Sequence, residues 1–190
     1  MKRALTFITG SKDKADQLSR YLGLPVKHVK IDLVEMQSLE LDEVIEHKLK
    51  EAYALVKSPV IVDDVSMVIN AMGRLPGPFI KFFLKEVGNQ GLCQIANLDK
   101  DRTAIGVVAI GYYNGQNLYT FRGVIKGLIA EQPKGNNGFG WDAIFIPNGY
   151  FMTRGEMTDK DYDATSPRRM ALEKLEEFFA RTQDEGVVNL

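Results

Sequence analysis

The stretch VIVDDVSMVINAMGRLPGPFIKFF, residues 60–83, decides how this chain is read. A run of β-formers, Pro59–Val62, delivers two adjacent carboxylates, Asp63 and Asp64, to a strand exit, and a Gly-Pro turn cluster and Lys81 follow. Neighbouring like charges raise each other's pKa and are costly to bury. A divalent cation would neutralise them and make them useful; an exposed acidic turn would carry them equally well. On these residues alone both readings stand.

Outward from this stretch, the pattern is α/β. Ala4–Thr9 reads as a short apolar strand ending at Gly10, with Ser11 as N-cap of a helix through Tyr21 that Gly23 and Pro25 terminate. Val26–Ile31 reads as a second strand. Asp42–Val56 has helical spacing, with Val44, Ile45, Leu49, Ala52 and Leu55 on one side. Pro78–Val87 and Leu92–Leu98 read as helices linked by Gly88 and Gly91. Thr103–Tyr113 and Leu118–Ile129 are β-rich and flank Asn114-Gly115, a strong hairpin signal because it tolerates positive φ. Ala143–Ile146 reads as a short strand, and Ser166–Ala180 as a helix with Pro167 in its first turn. Residues 1–181 are expected to form one domain and 182–190 a frayed tail.

Composition narrows the function. The 190 residues are 45% hydrophobic and 26% charged with a net charge of −1, which supports one sizeable core and excludes the basic excess of a nucleic-acid or membrane-surface binder. Cys93 is the only cysteine, so no intrachain disulfide or cysteine-based zinc site exists. The apolar run before Gly10 is too short for a signal peptide or a membrane span, and a cytoplasmic location is expected.

Four further segments carry chemistry. Thr9-Gly10-Ser11-Lys12-Asp13-Lys14, between a strand and a helix, suits phosphate oxygens through backbone N–H groups, hydroxyls and lysines, though an ordinary capped turn fits as well. Glu35, in Asp32–Gln37, offers an oxygen to the cation of the acid pair, or is a solvated loop acid. Gly135–Asp142 (GNNGFGWD) combines backbone that can approach a ligand with a stacking face of Phe139 and Trp141 and an acceptor in Asp142. Stacking of a base on an aromatic side chain is worth about 1–3 kcal/mol; a glycine-rich loop closed by a core Trp is the plainer reading. Arg168 and Arg169 open the last helix, where arginines pair with phosphate, stack on a base or simply face solvent. His28 and His47 have no partner pattern and read as surface residues.

Taken in order, TGSKDK at 9–14, DLVEMQ at 32–37, Lys48, VDDVSMVINAMGRLPGPFIKFF at 62–83, FRGVIKGLI at 121–129, GFGWDAIFIPNG at 138–149, GEM at 155–157 and SPRR at 166–169 resemble the inosine triphosphate pyrophosphatase family, also called the Ham1-like nucleoside triphosphate pyrophosphatases. The resemblance runs from Thr9 to about Phe179. It implies an elongated, two-lobed α/β structure around a long curved mixed sheet with flanking helices, and an active-site cleft between the lobes. It also implies a homodimer and hydrolysis of inosine, deoxyinosine and xanthosine triphosphates to monophosphate and pyrophosphate with Mg²⁺, or alternatively Mn²⁺. Carried over by position, Thr9, Gly10, Ser11 and Lys14 would hold phosphates, and Lys48 and Lys81 would neutralise them. Glu35 and Asp64 would bind the metal; Asp64, with Asp63, would orient or deprotonate the water. Phe139, Gly140, Trp141 and Asp142 would hold the base, and Arg168 would contact its 6-oxo edge.

Departures cluster on the base side. Ser11 and Val65 replace an amide and a hydroxyl of the family pattern, Pro167 replaces a histidine, Tyr162 and Asp163 stand for a lysine and an asparagine, and TAEM becomes TRGEM. Loss of a polar contact to a purine edge removes orders of magnitude of discrimination. Lys160 is near enough in sequence to be a substitute. Two alternatives therefore accompany the leading reading: the same reaction on a different base, and a nucleotide-binding protein with little catalysis.

Overall fold

The computed structural model describes residues 5–10, 12–23 and 25–184. Its framework is a mixed, seven-stranded sheet in the order β2-β1-β3-β5-β6-β7, with β4 paired to β3. β1 (Leu5–Ile8) runs parallel to both β2 (Val26–Val29) and β3 (Val60–Ile69), and β4 (Pro76–Gly77) is antiparallel to β3. β5 (Thr103–Tyr113) and β6 (Leu118–Ile129) take the expected bounds, and β7 (Phe145–Pro147) is antiparallel to β6. Helices α1 (Lys12–Leu22), α2 (Leu41–Val56), α3 (Ile80–Glu86), α4 (Gly88–Ala96), α5 (Asp159–Ala164) and α6 (Pro167–Asp184) flank it. None of the described helices is long and apolar enough to cross a membrane.

The chain divides into two compact units. The first holds the described residues up to Asp64, Ala109–Arg122 and those from Arg168 on; the second holds Val65–Val108 and Gly123–Pro167. β3, β5 and β6 each contribute residues to both. In the first unit, Leu5 and Phe7 of β1, Val44, Ile45 and Leu49 of α2, Val60–Val62 of β3 and Leu172 and Leu175 of α6 are buried. Gly111 lets α2 lie close against β5, since a Cβ there would sit 2.6 Å from Ile45 Cγ2 and 2.7 Å from Leu49 Cδ1. The second unit has one continuous apolar cluster built from Met67, Ile69, Ile80, Leu92, Cys93, Ile125, Trp141, Ile144 and Phe145.

Several boundaries differ from the sequence reading for physical reasons. β3 does not end at the acid pair but runs on to Ile69, because Val65, Met67, Val68 and Ile69 are themselves β-formers and bury or half-bury their side chains. Leu55 is 59% exposed, at the edge of the α2 stripe rather than within it. Gly88 and Gly91 do not link two helices: α4 starts at Gly88, and Gly91 leaves room for Val87, whose Cβ would be 2.7 Å from a Cβ at that position. Residues Asp142–Ile144 form a 3₁₀ turn, so the expected strand at 143 begins only at Phe145. The two residues of β4 and the short α5 carried no sequence signal. α6 continues to Asp184, past the expected domain end at Arg181, and residues 185–190, with Ser11, lie outside the described residues. The Asn114-Gly115 hairpin forms as expected, with Asn114 Oδ1 accepting from the Gln116 and Asn117 N–H groups at 2.9 and 2.8 Å and Gly115 at φ 96°.

One buried group in the first unit is out of place. Tyr112 packs edge-on to Phe179 at 4.9 Å and stacks on Tyr119 at 6.2 Å, yet its hydroxyl is buried with no hydrogen-bond partner. Burial, with the Tyr119 phenol beside it, pushes its pKa up to about 12. An unsatisfied buried polar atom costs about 1–3 kcal/mol. Tyr112→Phe keeps the ring contacts, so it is expected to raise the unfolding free energy by about 1 kcal/mol. A higher urea midpoint at unchanged slope is the measurement that checks it.

Candidate active site

Successive side chains on a strand point to opposite faces, and β3 uses this to separate its two acids. Asp63, its side chain 6% exposed, accepts from Lys14 Nζ of α1 at 3.0 Å and from Arg168 Nη2 of α6. Asp64 accepts from Lys48 Nζ of α2 at 2.5 Å. Each acid thus has its own cation partners. Burial by itself would raise the Asp63 carboxyl, but the charges of Arg168 and Lys14 and their hydrogen bonds outweigh it and hold its pKa down, from 3.8 to about 2. Asp63 is an anion throughout the neutral range, tied to two cations.

The expected phosphate loop is shaped by the same unit. The Thr9 N–H donates to the Val29 carbonyl at 3.2 Å, and His28 Nε2–H donates to the Thr9 carbonyl at 2.7 Å. His28 is thus a half-buried strut of that loop rather than a surface residue, a role that no local pattern in the sequence announces. Gly10 is exposed, and a Cβ there would meet nothing within 4 Å, so its backbone borders open space. The segment carrying Glu35 is tethered to α2 by the Val34 N–H, which donates to Glu51 Oε2 at 2.9 Å; Glu35 itself is exposed. Among the described residues no three His, Cys, Asp or Glu side chains are grouped so as to hold a metal. Mg²⁺ takes one or two carboxylates and completes its shell with phosphate oxygens and water. The hard oxygen donors of Asp64 and Glu35 fit that demand chemically; Asp63 is paired with Lys14 and Arg168, and Asp64 with Lys48.

In the second unit, the Gly135–Asp142 loop is held by a buried network. Asp142, buried, takes three protein donors: the Phe139 N–H at 2.9 Å and the Tyr162 hydroxyl at 2.8 Å on Oδ2, and Arg154 Nε at 2.7 Å on Oδ1. Arg154, also buried, donates through Nη1 to the Thr165 carbonyl at 2.7 Å, the Thr165 hydroxyl at 2.5 Å and the Tyr162 carbonyl at 3.1 Å, and lies 4.0 Å over the Tyr162 ring centre. Such a pair is tolerable in a core because further hydrogen bonds, from Arg154 Nη1 and to Asp142 Oδ2, accompany the charge contact. Gly138, at φ 74°, abuts Asp142 and Tyr162 so closely that a Cβ there would collide with both. Trp141 is 8% exposed, lies 5.1 Å edge-on to Phe145 and fills the space over Gly106, so it is a core residue. The stacking face expected from two rings is reduced to Phe139, which is 71% exposed. Gly140 contributes its carbonyl to Asn89 Nδ2 at 2.8 Å. Lys81, in the first turn of α3, is exposed, with Nζ 6.0 Å from the Phe82 ring centre. Arg168 falls in the first unit, where its Nη2 donates to Asp63.

Fold and side chains together describe an α/β protein in which cations are arrayed on a central strand's carboxylates and one exposed ring stands on a fixed loop. The chain belongs to the Ham1 family, whose sequence pattern matches residues 5–178. It is 37% identical over 180 residues to an inosine triphosphate pyrophosphatase of Schizosaccharomyces pombe, covering 93% of this chain and 95% of that one. It is 35% identical over 179 residues to inosine triphosphate pyrophosphatase 2 of Trypanosoma cruzi, covering 92% and 91%. A HAM1 protein from Coxiella burnetii shares the fold, with a TM-score of 0.84 at 24% identity over 94% of this chain and 99% of that one.

The paired state of Asp63 makes a measurable pH signature. Its folded pKa lies below the unfolded value, so the stabilisation is complete above about pH 4 and is lost as pH falls towards about 2; the shift from 3.8 to about 2 corresponds to about 2 kcal/mol. Asp63→Asn, which leaves Lys14 and Arg168 facing a neutral amide, is expected to cost about 3 kcal/mol at pH 7. The gap to the unsubstituted protein should narrow between pH 4 and pH 2, as followed by urea unfolding across that range.

Proposed function

We propose that the chain is a Mg²⁺-dependent nucleoside triphosphate pyrophosphatase that cleaves deaminated purine triphosphates to monophosphate and pyrophosphate and so clears them from the nucleotide pool. The observation that carries this reading is the partly exposed Asp64 carboxylate of β3, paired with Lys48 and next in the strand to Asp63 with its own cations Lys14 and Arg168. Triphosphate hydrolysis needs positioning and charge neutralisation more than covalent chemistry. The backbone of Thr9 and Gly10 would cradle phosphate oxygens, and Lys14, Lys48 and Lys81 would balance their charge. Asp64 would orient the attacking water and accept its proton as the new P–O bond forms and the bond to the pyrophosphate oxygen breaks. A Mg²⁺ held by Asp64 and Glu35 would supply further charge neutralisation and a more acidic water. Phe139 would support the base.

Two coarser features extend the reading. On the outward face of β6 in the second unit, Val124 and Leu128 are more than two-fifths exposed on either side of the exposed Lys126, and these two apolar side chains support assembly as a homodimer. The single cysteine is a buried free thiol, which suits the reducing cytoplasm.

Incubation with ITP, XTP and the standard triphosphates is expected to release pyrophosphate from the deaminated purines when Mg²⁺ is present, and chelation should stop it. Absence of pyrophosphate from every triphosphate would sink the proposal. Asp64→Asn should lower kcat by about 10²–10⁴ while leaving the thermal midpoint within a few degrees.

A further inference from the structure

The buried network of Asp142, Arg154 and Tyr162 has no part in the reaction as described, and Arg154 was not among the residues expected to matter. A carboxylate oxygen has two acceptor sites. Oδ2 of Asp142 fills both, with the Phe139 N–H and the Tyr162 hydroxyl, and Oδ1 takes Arg154 Nε; the residue is buried. Asp142 has little left to offer a ligand. Around it the backbone is tied down: the Asn137 N–H donates to the Gly155 carbonyl at 2.9 Å, Asn137 Nδ2 to the Met157 carbonyl at 3.0 Å, and Asn89 Nδ2 to the Gly140 carbonyl at 2.8 Å. From this fixed backbone only the Phe139 ring projects, 71% exposed. An exposed apolar ring on a rigid support is costly to leave in water and well suited to stacking, because the freedom of its loop is already spent.

We infer that Tyr162 and Arg154 are positioning residues that occupy the Asp142 carboxylate and preset Phe139 as a stacking platform, so that this loop selects a flat base without reading the groups on its edge. The inference rests on the proposed triphosphate reading and specifies how that substrate's base is held. Every base has a π-face, so stacking is tolerant of base identity. Tyr162 remains a donor at all ordinary pH, since burial and the neighbouring Asp142 charge push its pKa up to about 12.

Tyr162→Phe deletes one hydrogen bond and preserves shape. With Mg²⁺ and ITP, XTP, GTP and ATP as probes, it is expected to raise KM about 2–10-fold, by a similar factor for each that is turned over, with kcat nearly unchanged. The Phe139 amide should exchange its hydrogen faster. Phe139→Leu, which leaves the network untouched, should raise KM by about fivefold or more, again alike for each. A change of preference between ITP and ATP on Tyr162→Phe would overturn the inference, because it would mean that this corner reads the base edge. Unchanged KM with unchanged Phe139 exchange would overturn it too. If the unsubstituted protein turns over no triphosphate, the functional reading fails by itself, and the inference is then decided by the same comparisons made on calorimetric Kd and on amide exchange.

Discussion

The first unit is organised by one constraint: a buried strand carries two ionised carboxylates, and each must find a cation on its own face. Asp63 draws Lys14 from 49 residues away and Arg168 from 105 residues away, and Asp64 draws Lys48 from 16 residues away. These contacts fix α1, α6 and α2 relative to β3. Breaking such a pair leaves an uncompensated charge, which is far worse than never having had it. The charges therefore enforce the register of the helices as well as supplying chemistry.

The second unit applies the same physics to another end. Asp142 is as buried as Asp63 and as fully paired, but its partners are the neutral Phe139 N–H and Tyr162 hydroxyl besides one cation, and its output is the shape of a loop. Asp64 differs from both because part of its carboxylate remains open to solvent. Sequence position does not reveal that difference in exposure.

What was legible in the sequence follows the same division between local and distant causes. β5, β6 and their turn were legible because strand propensity and Asn114-Gly115 act within a dozen residues, and the α2 stripe because its period is local. The length of β3 was not, since Asp63 and Asp64 look like a strand exit until the cations that neutralise them are known. Nor was the choice between core and site for Trp141, which turns on Gly106, thirty-five residues earlier, leaving it room. Arg154 and Tyr162 appeared only as departures from a family pattern. That the two departures compensate, one guanidinium lying on the other's ring with both bound to Asp142, is visible only in three dimensions.

Pairing with Asp63 is compatible with the proposed contact of Lys14 and Arg168 with the nucleotide. The carboxylate takes up the rotamer freedom of two long side chains, an entropy of up to about 2 kcal/mol each, before any ligand arrives. It also holds like charges close that would otherwise repel each other. A phosphate reaching these side chains would meet cations already oriented, and in the proposed reaction the buried, strongly acidic Asp63 would serve by arranging charge while Asp64 would be the carboxylate for the water.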